Sequence, residues 1–171
     1  DSLPWLDPPP AAALDRAERL LAALGATAGA GGDLTATGRR MLRLAAEPRL
    51  ARVLVEAEHL GHAAAGCLAA ALASERDIRL VRRGIGGSRV GWQRPGEGVA
   101  SAAVAYEGSD LVERAELFLE AQQARFAGPV CHALGIDRGT VHQVDRARQA
   151  YAAALGAGDA AASIDAEALR R

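Results

Sequence analysis

The sequence contains no lysine, so its 20 lysine-plus-arginine positions are all arginine. A GC-rich genome explains this bias, and the excess of arginine is therefore no evidence for phosphate binding, although the forked guanidinium suits phosphate well. The lack of lysine does exclude a Walker-type phosphate loop, which needs Gly-Lys-Ser/Thr after a buried strand. We therefore interpret the glycine-rich residues 84–88 as a loop and not as a nucleotide site.

Cysteine, aromatic residues and long apolar runs are also scarce. The two cysteines, Cys67 and Cys131, lie in apolar helical patterns, which excludes a disulfide framework and a zinc spacing and fits a reducing compartment. No signal peptide or membrane-length apolar run is present, so the sequence predicts a soluble, cytoplasmic protein with no membrane partner. The net charge of −1 means that any basic binding surface must be local.

No group of residues has the spacing of a catalytic or metal site. Glu56, His59 and His62 are close in sequence, but Gly61 interrupts the helix and no fourth ligand is near, so no metal is predicted. Cys131 and His132 are neighbours on a helix, where adjacent side chains point in different directions. The sequence therefore predicts no catalytic residue, no metal and no cofactor in this chain, which alone is not an enzyme.

Hydrophobic periodicity predicts a mainly α fold. Helical spacing of apolar residues is expected over residues 11–24, 39–44, 48–60, 62–74, from 109 onward, from 129 to about 134, and after Asp137. In the first half this spacing assigns to the core Leu14, Ala17, Leu20, Leu21 and Leu24, then Met41, Leu42 and Leu44, and then Leu50, Val53, Leu54, Ala57 and Leu60. Farther along it assigns Ala65, Leu68, Ala71 and Leu72, then Leu111, Ala115, Phe118, Leu119 and Phe126, and finally Val141, Val144, Ala147, Tyr151 and Leu155. The glycine-rich residues 27–33 predict the tip of a small β-hairpin that returns through Leu34. Residues 78–108 carry seven glycines and little periodicity, which predicts a loop, held to the helices by Trp92.

The stretch at residues 34–54 combines a turn, two short helices and a local excess of arginine. Thr35 is placed to cap the first helix. Glu47-Pro48 ends it, and Pro48 suits the first position of the next. The arginines could cover apolar surface and pair with Glu47, Glu56 or Glu58, or they could contact an RNA backbone. The nucleic-acid candidates are Arg39, Arg40, Arg43, Arg49 and Arg52.

Four segments resemble, in order, the helicase-associated region of DEAH-type ATP-dependent RNA helicases, and most of all the bacterial HrpB group. They are Trp-Leu-Asp-Pro-Pro-Pro at residues 5–10, Leu-Gly-Ala at 24–26, Leu-Thr-x-x-Gly-Arg-x-Met at 34–41 and Pro-Arg-Leu-Ala at 48–51. The resemblance covers residues 3 to about 77. The glycine-rich stretch at residues 78–108 departs from the family pattern.

The resemblance implies a winged-helix module, with a β-hairpin wing, followed by a helical bundle. Residues 1–7 would be a linker from missing motor domains, 8–46 the winged helix, 47–158 the ratchet-like bundle, and 159–171 a frayed end. The motor domains of the same polypeptide would bind ATP and magnesium and would be partners of this region. Together they would enclose single-stranded RNA or DNA in a channel and couple motor closure to unwinding.

Two alternatives from other classes stay open. Residues 130–145 have the pattern of a DNA-binding helix-turn-helix, in which Arg138, Thr140, Gln143 and Arg146, together with His142, would face the major groove of a regulated promoter. Asp137 and Asp145 would then repel phosphate. A protein-interaction module with no nucleic-acid role is the third hypothesis.

Overall fold

The computed structural model describes residues 7–80 and 109–157. Most of the predicted loop at 78–108, including Trp92 and residues 84–88, lies outside these ranges, as do residues 1–6 of the predicted linker and the predicted frayed end. The described residues form seven helices: α1 (Ala11–Ala23), α2 (Ala36–Met41), α3 (Pro48–His59), α4 (Ala63–Ser74), α5 (Asp110–Gln123), α6 (Gly128–Ala133) and α7 (Arg138–Leu155).

The described residues contain no β-strand, which confirms the mainly α prediction. The β-hairpin wing is not shown. At its expected position Thr27 and Leu34 form one isolated antiparallel bridge, and the Ala28 amide donates to the Asp33 carbonyl at 2.9 Å. Helix α1 ends at Ala23 and α2 begins at Ala36, so only a few residues on either side of the bridge are left to form a longer ladder. A second isolated bridge joins Arg79 to Ile136.

Local signals determine where the helices begin and end. The Thr35 hydroxyl accepts a hydrogen bond from the Gly38 amide at 2.9 Å, and Pro48 is the first residue of α3. Asp137 caps α7 by accepting from the Thr140 amide at 2.8 Å. Gly156 ends the same helix with a φ of 73°, a conformation that costs glycine little. The expected helix boundaries here are confirmed to within a few residues.

The chain divides into two compact units, of which the first ends at Glu56 and the second begins at Ala57. The predicted boundary between residues 46 and 47 stays a prediction. In the first unit Ala26, Met41, Leu44, Ala51 and Leu54 are buried. Two leucines expected in this core are exposed, Leu42 at 71% and Leu14 at 46%, and no residue of α1 is buried. Leu42 directly follows the six-residue helix α2, whose single inward row is already occupied by Met41.

Val53 and Leu60 are also exposed, against expectation, at 46% and 62%. The buried residues of the first α3 turns are Ala51 and Leu54. Each residue advances the side-chain direction by about 100°, so Val53 points well away from Leu54. The broad apolar stripe predicted for this helix is therefore narrower in the structure.

In the second unit α4 packs against α5 and α7, and α6 packs against α7. Gly66 on α4 allows a close approach to the end of α3, because a Cβ on Gly66 would lie 2.3 Å from the Ala57 Cβ. Phe118 on α5 is fully buried. Four residues expected to face inward in this unit are only half-buried: Ala57, Leu111, Leu119 and Ala147. Those confirmed as buried are Ala65, Leu68, Ala71, Leu72, Ala115, Phe118, Phe126, Val141, Val144, Tyr151 and Leu155.

Candidate nucleic-acid interface

The turn before α2 is held by one threonine. The Thr35 amide donates to the Ala26 carbonyl at 3.0 Å, and its hydroxyl donates to the Gly25 carbonyl at 2.6 Å while accepting from the Gly38 amide. Thr35 therefore fixes the end of the α1 connection and the start of α2 together. This positions the arginines that follow on α2 relative to the loop at residues 27–34.

The five candidate arginines differ in how far the protein already uses them. Arg39 is exposed and donates to the Leu34 carbonyl at 2.9 Å, while Arg40 is half-buried and engaged within the protein. Arg52 pairs with Glu56 one helical turn later. This pair is expected if the arginine serves the fold and does not bind nucleic acid. Arg43 and Arg49 are exposed, and neither makes a hydrogen bond or an ion pair among the described residues.

The charge around these arginines is strongly one-sided. Residues 34–54 contain the five arginines and one carboxylate, Glu47, so the local net charge is +4 (five minus one) in a chain of net charge −1. The charges lie on α2, on the turn that follows it and on α3. Such a concentration attracts a polyanion and releases its counterions on binding.

The predicted helix-turn-helix segment contains the expected elements, since α6 and α7 are joined by residues 134–137 and pack together. Thr140 is a correction to the predicted groove-facing set. It is 4% exposed, and its hydroxyl donates to the Asp137 carboxylate at 2.7 Å. Thr140 therefore belongs to the helix cap and the core. Arg138 and Arg146 are exposed, and Gln143 is half-buried.

The turn between α6 and α7 is covered by residues 78–80. The Leu80 amide donates to the Gly135 carbonyl at 2.8 Å, and the Asp137 amide donates to the Ile78 carbonyl at 2.7 Å. Ile78 and Ile136 are buried at 0% and 2% exposure. The turn is thus built into the core of the second unit.

Arg79 holds an ion-pair cluster that the sequence did not indicate. Its guanidinium donates to Asp77 at 2.6 Å and to Glu113 at 2.8 Å, and it also pairs with Asp110. Burial alone would raise the pKa of Asp77, but the hydrogen bonds from Arg79 hold it below its ordinary value. The cluster connects residues 77–79 to the first turn of α5, which makes it a structural element.

The buried titratable groups of the second unit include Arg148 and two cysteines. Arg148 is 6% exposed and donates to Asp145 at 2.8 Å. Burial raises the pKa of Cys67 to about 11, with Arg148 lowering it and Glu58 raising it. The pKa of Cys131 is also raised by burial, whereas the adjacent His132 is exposed. Both thiols are therefore protonated near neutral pH.

Within residues 7–80 and 109–157 no group of three histidine, cysteine, aspartate or glutamate side chains is arranged to hold a metal ion. In the same ranges no helix combines the length and the apolar composition needed to cross a bilayer. The Asp137 carboxylate has a pKa below its ordinary value because the Thr140 side chain and amide donate to it, as expected for a cap. The two described carboxylates whose pKa is shifted, Asp77 and Asp137, thus have structural partners.

No protein-family model matches the chain, and no curated protein matches it either. Function must therefore be inferred from the charged side chains, their partners and their exposure.

Proposed function

We propose that this chain is a non-catalytic accessory region of an ATP-dependent nucleic-acid helicase of the HrpB-like DEAH type. The observation that supports it best is the pair Arg43 and Arg49, which are exposed and have no partner among the described residues at the centre of the +4 stretch. The resemblance of residues 3–77 to that family gives the expected partner, a single strand of RNA or DNA. ATP and magnesium belong to the motor domains of the parent polypeptide.

The arginines would act on the sugar–phosphate backbone and not on base edges. They lie on short helices and on a turn, so their long side chains can follow an irregular strand. Backbone contacts of this kind give binding that tolerates sequence and weakens steeply with salt. Arg52 contributes less, because its guanidinium is already paired with Glu56.

The role in the parent helicase would be mechanical. The first unit would have the arrangement of a winged helix with a minimal wing at the bridge between Thr27 and Leu34, and the second unit would be the helical bundle. Docked on the motor domains, they would help to wall the channel for the strand. When the motor domains close, the strand would then be moved past this fixed surface and would not simply be enclosed and released.

The test is a salt titration of single-stranded RNA binding. A labelled oligouridine is bound to the full chain and followed by fluorescence anisotropy between 50 and 200 mM salt. For single strands each phosphate contact contributes roughly 0.7 to the magnitude of the slope of log K against log salt. Arg43→Gln/Arg49→Gln should therefore reduce this magnitude by about 1.4. Arg16→Gln/Arg19→Gln on the exposed face of α1 removes the same charge and should leave the slope unchanged.

Two results would overturn the proposal. One is a wild-type chain that does not bind the oligouridine at 50 mM salt. The other is an Arg43→Gln/Arg49→Gln variant whose slope equals that of the α1 control.

The helix-turn-helix alternative is favoured by the packed pair α6 and α7 with Arg138, Gln143 and Arg146 on the second helix. Against it stand the buried Thr140 and the core position of the connecting turn. In the same titration a duplex-DNA library separates the hypotheses. Sequence-selective duplex binding would favour the regulator, and binding to neither nucleic acid would favour a protein-interaction module.

A further inference from the structure

The arginines of the second unit divide into two groups. Three are held by carboxylates: Arg79 by Asp77, Asp110 and Glu113, Arg114 by Asp110, and Arg148 by Asp145. The others described in this unit are exposed and have no ion pair among the described residues: Arg76, Arg125, Arg138 and Arg146. The first group stabilises the fold. The second group is available to a ligand.

The loop that carries Arg125 has a strained and fixed shape. Arg125 and Phe126 have φ angles of 52° and 56°, a left-handed region that is unfavourable for residues other than glycine. Phe126 is 7% exposed, and its ring lies 5.5 Å from that of Phe118 and 5.2 Å from that of His142. Burial of Phe126 compensates for the strain, and Arg125 is consequently held on the surface in one backbone conformation.

Arg138 is fastened to the same loop. Its Nε donates to the Phe126 carbonyl at 3.0 Å, which places the guanidinium beside the residue that follows Arg125. The terminal nitrogens of Arg138 have no acceptor among the described residues. They remain able to bind an anion in the two-pronged geometry that arginine uses for phosphate.

Along α7 two exposed arginines, Arg138 and Arg146, and the half-buried His142 lie on one face. Arg138, His142 and Arg146 are spaced four residues apart, a rise of about 6 Å for each step. This is comparable to the distance between successive phosphates of an extended strand. Arg125 extends the row beyond the first turn of the helix, because Arg138 reaches back to its loop.

The two carboxylates at the start of α7 and along it, Asp137 and Asp145, are both engaged. Asp145 accepts from Arg148 and from Gln149 at 2.8 Å each. Asp137 accepts from the Thr140 amide and hydroxyl, and the exposed Arg76 acts on its charge. The charges of residues 125–148 are four arginines and two aspartates, which leaves a local excess of +2.

We propose that Arg125, Arg138 and Arg146 form a second phosphate-contacting row, in the helical second unit, for the backbone of a single-stranded nucleic acid. This inference rests on the proposed function and assigns phosphate contacts to arginines other than those of α2 and α3. The row does not read bases, because Thr140 is buried in the core. Binding through it tolerates sequence.

The experiment uses the full chain, labelled oligouridine and a double variant, Arg125→Gln/Arg146→Gln, which leaves the bond from Arg138 to Phe126 intact. Two lost phosphate contacts lower the salt slope by about 1.4, so the affinity lost between 50 and 200 mM salt becomes about sevenfold smaller than in the wild type. Arg16→Gln/Arg19→Gln is the control of equal charge. Thermal melting by circular dichroism verifies that both variants are folded.

The outcomes separate this inference from the proposed function. A reduced slope in Arg125→Gln/Arg146→Gln, with no change in the α1 control, supports the row even if Arg43→Gln/Arg49→Gln has no effect. A slope equal to that of the α1 control overturns the row while the function assigned to Arg43 and Arg49 stands on its own titration. A wild-type chain that fails to bind oligouridine overturns both.

Discussion

Replacing Gly38 by alanine should destabilise the first unit, although alanine is the better helix former. A Cβ at this position would lie 2.0 Å from the Ala26 carbonyl oxygen, and 2.9 Å from the carbonyl carbon. Real Cβ contacts are essentially never below 3.0 Å, so the two backbones would have to separate by roughly the difference, 1.0 Å. Both neighbours are main chain, and no flexible side chain can move aside instead.

The same carbonyl accepts the Thr35 amide at 3.0 Å, so the separation breaks this hydrogen bond. Overpacking costs about 1–3 kcal/mol and a lost hydrogen bond about 1 kcal/mol, while the helix propensity of alanine returns about 1 kcal/mol. We expect a net loss of about 1–3 kcal/mol in the unfolding free energy of the first unit. The loop at residues 27–34 and α2 should be affected most, because Thr35 links them.

Hydrogen exchange followed by mass spectrometry, together with urea unfolding, measures this effect. Because the chain has two compact units, exchange in peptides from α1 to α3 should increase while peptides from α5 and α7 keep their protection. Gly128→Ala is the control: it meets no atom within 4 Å and has no left-handed φ, so it should be neutral or stabilising by about 0.4–1 kcal/mol. Wild-type protection of residues 26–44 in Gly38→Ala would refute the steric argument.

Two further predictions concern titratable groups. The folded pKa of Asp137 lies below its ordinary value of 3.8, so its contribution to the free energy of unfolding is fully present above that value and is lost as the pH falls through the folded pKa. Urea titrations below about pH 5 should therefore show a weaker pH dependence of stability in Asp137→Asn. An unchanged pH dependence would contradict the cap. Burial raises the pKa of Cys67 to about 11, so in a Cys131→Ala variant a thiol reagent at pH 8 should modify Cys67 only as fast as the second unit opens. Rapid labelling of the folded variant, at the rate seen in urea, would contradict the burial.

The sequence predicted the helices because the signals that start and end them are local. Thr35, Pro48, Asp137 and Gly156 act within a few residues of themselves, through caps and fixed backbone angles that do not depend on the rest of the fold. Glycine at position 38 is different. It looks like a cost in a short helix, and only the approach of the Ala26 carbonyl, twelve residues earlier in the chain, explains it.

Burial in the first unit was predicted less well, for a related reason. Periodicity assigns every apolar residue near one helix face to the core, and it assigned Leu14, Leu42 and Val53 in this way. Two short helices joined by a turn present only a few inward positions, which Met41, Leu44, Ala51 and Leu54 occupy. Periodicity alone cannot rank such residues, because it does not contain the direction from which the neighbours approach.

The candidate binding residues show the same limit more sharply. A composition of arginine without lysine makes all basic positions look alike, whereas the structure separates them by partner. Arg79 meets Glu113, 34 residues away, and Arg138 meets a carbonyl made available by the unusual backbone of Phe126; neither pairing leaves a trace in local spacing. An arginine with a carboxylate partner must lose that partner before it can bind phosphate, and an exposed arginine without one need not. Arg52 is paired with Glu56, whereas Arg49, three residues earlier on the same helix, is unpaired. Two chemically identical substitutions should therefore have unequal effects: Arg49→Gln should reduce the magnitude of the slope of log K against log salt, and Arg52→Gln should not.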